Sequence, residues 1–140
     1  MSFSNPSDDE IREILTRPMT VAVVGCSPDP NRASHKIARV LQTMGHRVIP
    51  VNPQAREILG LRCYGSLRDI EQRVHMVDVF RRSELVPAIV EDAVAIAADI
   101  LWLQLGIIHE AAVARACAAG ITVVMDRCPA VEYRRLVSAD

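Results

Sequence analysis

Short apolar runs alternate with helical patterns along the chain, and this alternation limits the fold more than any other feature of the sequence. Five such runs predict β-strands, over residues 20–25, 47–51, 75–80, 100–105 and 121–126. Apolar residues at helical spacing predict helices over residues 8–16, 33–45, 84–98 and 109–119. Strands and helices that alternate at this spacing form right-handed βαβ units. We therefore expect an α/β fold with a five-stranded parallel sheet covered by helices on both faces.

The composition fits one domain of this kind. Hydrophobic residues make up 50% of the chain but aromatic residues only 4%, so the core has to be built from Val, Ile, Leu and Ala. These side chains suit parallel strands that are buried on both faces. The 140 residues are enough for a single three-layer domain over residues 1–140. By analogy with dinucleotide-binding domains we expect a doubly wound sheet of strand order 3-2-1-4-5. Residues 53–70 are turn-rich and predict short pieces, at 61–64 and 66–70.

Charge and cysteine content limit the classes of partner. The formal net charge is −1, which gives no bulk positive field for nucleic acid or an anionic membrane. The N-terminus lacks the pattern of a signal peptide, and no apolar run is long enough to span a bilayer. The cysteines form no C-x-x-C pair and have no histidine at zinc-ligand spacing. We therefore expect a cytoplasmic protein with free thiols and no metal site.

The first predicted strand runs into a turn of small residues and then a helix, an arrangement that can seat a phosphate. Gly25, Cys26 and Ser27 form the turn, and glycine lets the backbone approach a ligand closely. Free N–H groups at the start of the following helix point at an anion placed there. Ser34 and Lys36, the only lysine, would add a hydroxyl and a positive charge. Replacing Gly25 with Val is expected to block the phosphate and to leave the protein folded.

Ligands of doubly wound sheets bind beyond the carboxyl ends of the strands, where this sequence has several cations and almost no acids. The second strand ends in Val51, Asn52 and Pro53, without the acid that grips a ribose in nicotinamide dinucleotide sites. The first turn also lacks G-x-G-x-x-G. A ligand with more phosphate than NAD therefore fits better. The cations expected within reach of one cleft are Arg32, Lys36, Arg56, Arg81 and Arg82.

Five segments together resemble a known family. They are residues 23–28 (VVGCSP), 49–53 (IPVNP), 77–83 (VDVFRRS), 101–106 (LWLQLG) and 123–128 (VVMDRC). In this order, and over about residues 18–136, the chain resembles the small stand-alone CoA-binding proteins. Those proteins are similar to the N-terminal CoA-binding domain of the succinyl-CoA synthetase alpha subunit. The resemblance implies a Rossmann-like fold and a ligand that is coenzyme A or an acyl-CoA.

The resemblance also implies how CoA is held. The pyrophosphate is expected on the loop of residues 25–27 and the helix after it, with Lys36 on a phosphate, and the adenosine near residues 51–53 and 80–81. Cys26 and His109 depart from the small alanine and the Asn that are usual in the family, which affects the fine geometry rather than the ligand class. The expected cofactor-binding residues are Gly25, Cys26, Ser27, Arg32, Ser34, Lys36, Val51, Asn52, Pro53, Phe80, Arg81, Gly106 and Ile107.

No residue is assigned a catalytic role. A ligase of the succinyl-CoA synthetase type needs a further domain with a phosphorylated histidine, and we expect the chain to end before one. His46 and His75 are expected to be structural, whereas His35 is a further candidate phosphate contact. His109 is expected to begin or cap a helix, although with Glu110 beside it a proton-transfer role is the alternative.

Expected positions can also be given for two cysteines and for the tryptophan. Cys26 is expected to be packed rather than reactive, because the thiol of CoA lies far from its pyrophosphate. Cys128 is expected to fill the core, with thiol exchange as the alternative, and Trp102 is expected in the core.

The function that follows is the binding of CoA or an acyl-CoA without identifiable chemistry. One alternative is an NAD(P)-dependent oxidoreductase that uses the same cleft. Another is a subunit that supplies only the CoA site to a larger acyl-CoA-processing enzyme. The alanine-rich helix at residues 109–119 also makes a homodimer a candidate assembly, beside an unknown protein partner.

Overall fold

A five-stranded parallel sheet lies at the centre of the protein in a computed structural model that describes residues 3–137. Five of the seven strands form this sheet, and the third and fourth form a small antiparallel hairpin beside it. The strands are β1 (Thr20–Val24), β2 (Arg47–Val51), β3 (Glu57–Ile58), β4 (Leu61–Arg62), β5 (Met76–Val79), β6 (Ile100–Leu103) and β7 (Thr122–Val124). The expected α/β, Rossmann-like fold is confirmed, and all five predicted strands are present.

Helices cover both faces of the sheet. They are α1 (Asp8–Thr16), α2 (Ala33–Thr43), α3 (Val86–Ala95), α4 (Glu110–Ala118) and α5 (Pro129–Leu136), with 3₁₀ turns at Leu67–Asp69 and Ser83–Leu85. The four predicted helices are present, but α5 was not predicted. Pro129 occupies its first turn, where a missing N–H does no harm and the fixed φ suits a helix. Among residues 3–137, no helix is long and apolar enough to cross a membrane.

The strand order differs from the one expected. The sheet runs β2-β1-β5-β6-β7, which is 2-1-3-4-5 when only its own strands are counted, and the expectation of 3-2-1-4-5 was wrong. Pro50 gives the physical reason, because a residue without an N–H cannot donate in a strand that is paired on both sides and is confined to an edge. All four residues of β5 are buried, which suits the interior position that β5 takes instead.

At each edge of the sheet, backbone at or just beyond the end of the edge strand forms hydrogen bonds with residues outside the sheet. Along β2, the N–H of Tyr64 donates to the carbonyl of Pro50 (3.0 Å), and the N–H of Asn52 donates to the carbonyl of Tyr64 (2.8 Å). Just beyond β7, the side-chain amide of Asn5 donates to the carbonyl of Met125 (3.0 Å) and accepts from its N–H (2.7 Å). Asn5 therefore bonds to the backbone there as a neighbouring strand would.

Alternate residues of the strands face opposite helical layers. On one face Ala22 and Val24 of β1 belong to the core beneath α3 and α4, and on the other Val21 and Val23 pack with α1, α2 and α5. Trp102 is the largest fully buried side chain, and its Nε1 donates to the carbonyl of Arg127 (2.9 Å). The expected core position of Trp102 is confirmed. Each buried Val contributes about 1.5–3 kcal/mol relative to an exposed one.

Two histidines support the start of β1, as expected. The N–H of Met19 donates to Nδ1 of His46 (3.3 Å), whose Nε2 donates to the carbonyl of Leu15 (3.0 Å). The N–H of Thr20 donates to Nδ1 of His75 (3.0 Å). Burial lowers the pKa of His46, so its ring stays neutral and can accept at one nitrogen while it donates at the other. His46 and His75 are therefore structural residues.

Candidate ligand-binding site

The loop after β1 is built around a glycine that no other residue replaces easily. Gly25 has φ +87°, in the left-handed region that favours glycine. A Cβ at this position would lie 2.7 Å from the carbonyl oxygen of Phe80 and 3.3 Å from Nε of Arg81. That a Gly25→Val protein keeps its fold stays a prediction, but the variant should be less stable, because the added side chain meets the backbone at the end of β5 before it meets any ligand.

Side chains from α2 and β2 hold the rest of this loop. The N–H of Ser27 donates to the hydroxyl of Ser34 (2.9 Å), and Nδ1 of His35 donates to the carbonyl of Ser27 (2.9 Å). The side-chain amide of Asn52 donates to the carbonyl of Cys26 (2.9 Å). Ser34 and His35 are both buried, so the structure gives them a role in shaping the loop. A phosphate contact by the His35 ring, considered from the sequence, does not fit this burial.

The cations expected near the site lie on separate elements. Arg32 is the N-cap of α2 and provides no side-chain cap, and Lys36 lies one turn further along that helix. Arg81 directly follows β5, Arg82 precedes the next 3₁₀ turn, and Arg56 precedes β3. None of these five takes part in the ion pairs found within residues 3–137, which leaves their charge available to an anion. Those pairs use Arg12, Arg17, Arg68, Arg73, Arg115 and Arg135.

A groove of about 360 Å³ opens at the carboxyl edge of the sheet, between α2 and the ends of β5, β6 and β7. Most of its lining is apolar, and Lys36 and Gln104 supply its strongly polar groups. Of the expected site residues it contains Lys36, Phe80 and Ile107. The full lining is Ala33, Lys36, Ile37, Phe80, Gln104, Leu105, Ile107 and Cys128.

A buried carboxyl lies behind this groove. Asp78 of β5 is fully buried, and its Oδ1 accepts a hydrogen bond of 2.5 Å from Nε2 of Gln104. Its Oδ2 is buried without a hydrogen-bond partner within residues 3–137. Desolvation by burial raises the pKa of Asp78 to about 7, although the bond from Gln104 acts in the opposite direction. This pair was not expected from the sequence. The signal was a single acid inside the apolar run of β5 and a single amide at the end of β6.

The two cysteines near the site differ in how far their side chains are buried. Cys26 is fully buried, and burial, with smaller contributions from Cys63 and Asp78, raises the pKa of its thiol to about 12. A thiol in that environment stays protonated, as expected for a packed rather than reactive cysteine. Cys128 is half-buried: it packs against the core, which agrees in part with the expected core position, and it also lines the groove.

The segment after β6 turns back towards the site. Gly106 has φ +80°, and its N–H donates to the carboxylate of Asp126 (2.7 Å). Ile107 lines the groove beyond it. His109 is the N-cap of α4, and its Nδ1 accepts from the N–H of Ala112 (3.1 Å). The expected capping role of His109 is confirmed, and this nitrogen is engaged in the cap rather than free to transfer protons with Glu110.

Nine of the expected site residues therefore fall into three groups. Gly25, Cys26 and Ser27 form a loop whose side chains are partly or wholly inside the protein, so Cys26 offers a ligand only its backbone. Asn52 and Pro53 lie on the β2 side of that loop, where Val51 is 3% exposed and likewise offers only backbone. The groove lies on the β5 side and includes residues that were not expected from the sequence, namely Ala33, Ile37, Gln104, Leu105 and Cys128.

Known proteins share this fold and much of this sequence. A family model described as a CoA binding domain matches residues 19–134. An uncharacterized protein of Bacillus subtilis, YneT, is 41% identical over 131 residues, which cover 94% of this chain and 97% of that protein. A hypothetical protein from Pyrococcus horikoshii has a solved structure with a TM-score of 0.90 and 37% identity, covering 98% of this chain and 99% of that one.

A larger enzyme contains a related segment. An ADP-forming acetate–CoA ligase of Archaeoglobus fulgidus is 38% identical over 80 residues, which cover 57% of this chain. The same 80 residues are 12% of that ligase, so the likeness is confined to one part of it.

Proposed function

The chain belongs to the CoA binding domain family, and from that membership we propose that it binds coenzyme A or an acyl-CoA at the carboxyl edge of its sheet. The pyrophosphate rests on the loop of residues 25–27 and the first turn of α2. Arg32, Lys36 and Arg81 supply positive charge around it. The adenosine lies on the β2 side, against Asn52, Pro53 and Phe80, and one domain over residues 1–140 carries the whole site.

The main support for this proposal is the start of α2, which has no side-chain cap. The cations near it, Arg32, Lys36 and Arg81, have no carboxylate partner within residues 3–137. N–H groups at a helix start and a nearby lysine attract a phosphate for the same electrostatic reason. The absence of a Cβ at Gly25 supports it as well, because the loop backbone can then lie close to Phe80 and to a ligand.

The proposed activity is binding rather than catalysis, in a cytoplasmic protein that senses, carries or presents CoA. A second candidate function is favoured by the ligase segment: the chain supplies the CoA site to a partner in an acyl-CoA-processing enzyme. An NAD(P)-dependent oxidoreductase is less well supported. Asn52 closes β2 where an acid would hold the ribose, and its side-chain amide is already bonded to the loop.

Calorimetric titration with CoA, dephospho-CoA and NAD tests the proposal. We expect micromolar or tighter binding of CoA and weak binding of NAD, with weaker binding of dephospho-CoA if the cations contact the 3′-phosphate. Binding of NAD without CoA would support the oxidoreductase instead. Purification from the native host with a bound partner protein would favour the subunit hypothesis.

Lys36 provides the sharpest single-residue test of the same proposal. Lys36→Ala should weaken CoA binding roughly ten- to a hundred-fold, because a charge-assisted hydrogen bond to phosphate contributes about 1.5–3 kcal/mol. Arg39→Ala is the matched control, since Arg39 is an exposed cation on α2 that does not line the groove. Equal dissociation constants for wild type and Lys36→Ala would remove Lys36 from the site.

A further inference from the structure

Two acids are buried within residues 3–137, and they differ in their partners. Glu132 accepts a hydrogen bond from the guanidinium of Arg135 (2.7 Å), so its charge is matched by an opposite one. Asp78 has no such cation: its Oδ1 accepts from the side-chain amide of Gln104, and its Oδ2 is buried without a partner in the part of the chain that the structure describes. A buried carboxylate without a counter-charge is costly, so the neutral form of Asp78 is favoured.

Asp78 lies beneath the loop of residues 25–27. In the β1–β5 register it is opposite Val23, two residues before Gly25. With a rise of about 3.3 Å per residue and about 4.8 Å between strands, the Cα atoms of Asp78 and Gly25 are roughly 8 Å apart. Met76 and Phe80, on the same face of β5 as Asp78, pack in the layer that contains α2. The carboxyl of Asp78 therefore faces the helix whose start holds the pyrophosphate in the proposed function.

An ionised Asp78 opposes a phosphate at that position. Two like charges roughly 10 Å apart, in a protein environment of effective dielectric constant about 20, repel enough to weaken binding roughly tenfold. The carboxylate also lies under the helix whose positive N-terminal end attracts the phosphate, and a negative charge there offsets part of that attraction. A neutral Asp78 has neither effect.

From this arrangement, and resting on the proposed function, we propose that Asp78 couples CoA binding to proton uptake, so that the protein with a neutral Asp78 binds CoA more tightly than the protein with an ionised one. The coupling is reciprocal, because a bound phosphate in turn favours the protonated carboxyl. Burial raises the pKa of Asp78 to about 7, which places the change near neutral pH. The affinity for CoA should therefore fall as the pH rises through 7.

Other titratable and charged groups lie on the elements around Asp78 and have to be separated from it. Within residues 3–137 none of them forms a hydrogen bond or an ion pair with Asp78. Besides the pair of Glu132 and Arg135, they are Cys26, His35, Lys36, Cys63, Arg81, Cys128 and Tyr133. Burial raises the pKa of Cys26 to about 12 and raises that of Cys63, so both thiols stay protonated near neutral pH. Asp78→Asn keeps all of these groups, and an acceptor for Gln104, while it removes the titration.

Calorimetric titration with CoA at pH 6 and pH 8 measures the coupling. CoA itself and the other groups contribute to the ratio of the two dissociation constants, but they do so equally in wild type and Asp78→Asn. We expect the ratio to be about fivefold larger in wild type. Asp99→Asn is the matched control, because Asp99 directly precedes β6 at the opposite, amino edge of the sheet, and it should keep the wild-type ratio.

Proton uptake gives a second readout. Titrations in two buffers of different ionisation enthalpy, between pH 7 and pH 8, should show that wild type takes up about half a proton more per bound CoA than Asp78→Asn does. If Asp78→Asn fails to fold, carbon-13 NMR of the Asp78 carboxyl group in wild type measures the same linkage. Its titration midpoint should move to higher pH when CoA is bound.

The failures of the two proposals are distinguishable. Equal ratios in wild type and Asp78→Asn, or a titration midpoint of Asp78 that CoA does not move, would overturn the coupling and leave the proposed function in place. A wild-type protein that binds CoA at neither pH would overturn the proposed function itself.

Discussion

The ionisation of Asp78 is linked to the folding of the protein. Burial raises its pKa from 3.8 to about 7, so between these pH values the folded protein holds a proton that the unfolded chain releases. The contribution of this group to stability is therefore fully present below pH 3.8 and is lost as the pH rises through about 7. An ionised Asp78 is left with one hydrogen bond, from Gln104, and an Oδ2 that has no partner within residues 3–137.

Asp78→Asn should consequently become more stable, relative to wild type, as the pH increases. One pKa unit corresponds to about 1.4 kcal/mol, so the difference in the free energy of unfolding between the two proteins should change by about 2–3 kcal/mol from pH 5 to pH 8. Urea unfolding of both proteins at these two pH values measures it. A difference that is the same at both pH values would mean that Asp78 titrates near its ordinary pKa.

Gly25 links the candidate site to the stability of the fold. Gly25→Ala should lower the free energy of unfolding by about 2–4 kcal/mol, because the left-handed backbone and the close carbonyl of Phe80 both oppose a Cβ. Gly45→Ala is the matched control. Its φ is +100° but nothing lies within 4 Å of the added carbon, so only the backbone strain of about 1–2 kcal/mol applies. Equal losses in the two variants would contradict the close approach at Phe80.

The elements that follow from a local sequence pattern were predictable. Features that depend on how elements pair with one another were not. The strands and α1 to α4 follow from apolar spacing, and the loop of residues 25–27 follows from a strand that runs into small residues. The strand order was mistaken although Pro50 indicated an edge strand. The contact of Asp78 with Gln104 depends on the register of β5 against β6, which no local pattern reveals.

The start of α4 offers a test at the level of one helix. His109→Ala removes the acceptor for the N–H of Ala112 and should lower the free energy of unfolding by about 1 kcal/mol. His109→Asn should retain most of the stability, because Asn caps a helix start equally well. CoA affinity should change little in either variant. Thermal unfolding and CoA titration of the three proteins distinguish a cap from a proton-transfer residue.

Across the whole molecule, charge is distributed unevenly despite a net charge of −1. Several arginines remote from the carboxyl edge are paired with acids, for example Arg115 with Glu91 and Arg73 with Asp99. Lys36 and Arg81 at that edge take part in none of the ion pairs found between residues 3 and 137. The electrostatic attraction for an anion is therefore local and does not depend on the overall charge.

Binding of CoA should accordingly weaken as salt increases. The screening length falls from about 10 Å at 0.1 M to about 3 Å at 1 M ionic strength, which reduces the attraction between exposed cations and phosphates. Calorimetric titration between 0.05 and about 0.5 M NaCl should show a steady rise in the dissociation constant, and Lys36→Ala should show a smaller rise. A dissociation constant that is independent of salt would mean that the cations contribute little.

The covered edges of the sheet have a consequence for how copies of the chain meet. A free strand edge is a template on which another chain can add a strand, and such edges lead to aggregation. Here Pro50 and the segment at Tyr64 close the β2 side, and the side-chain amide of Asn5 bonds to the backbone just past β7, itself only three residues long. Strand addition is therefore hindered at these positions on both sides, so we expect a homodimer of this chain to use helix faces such as α4 rather than a continuous intermolecular sheet.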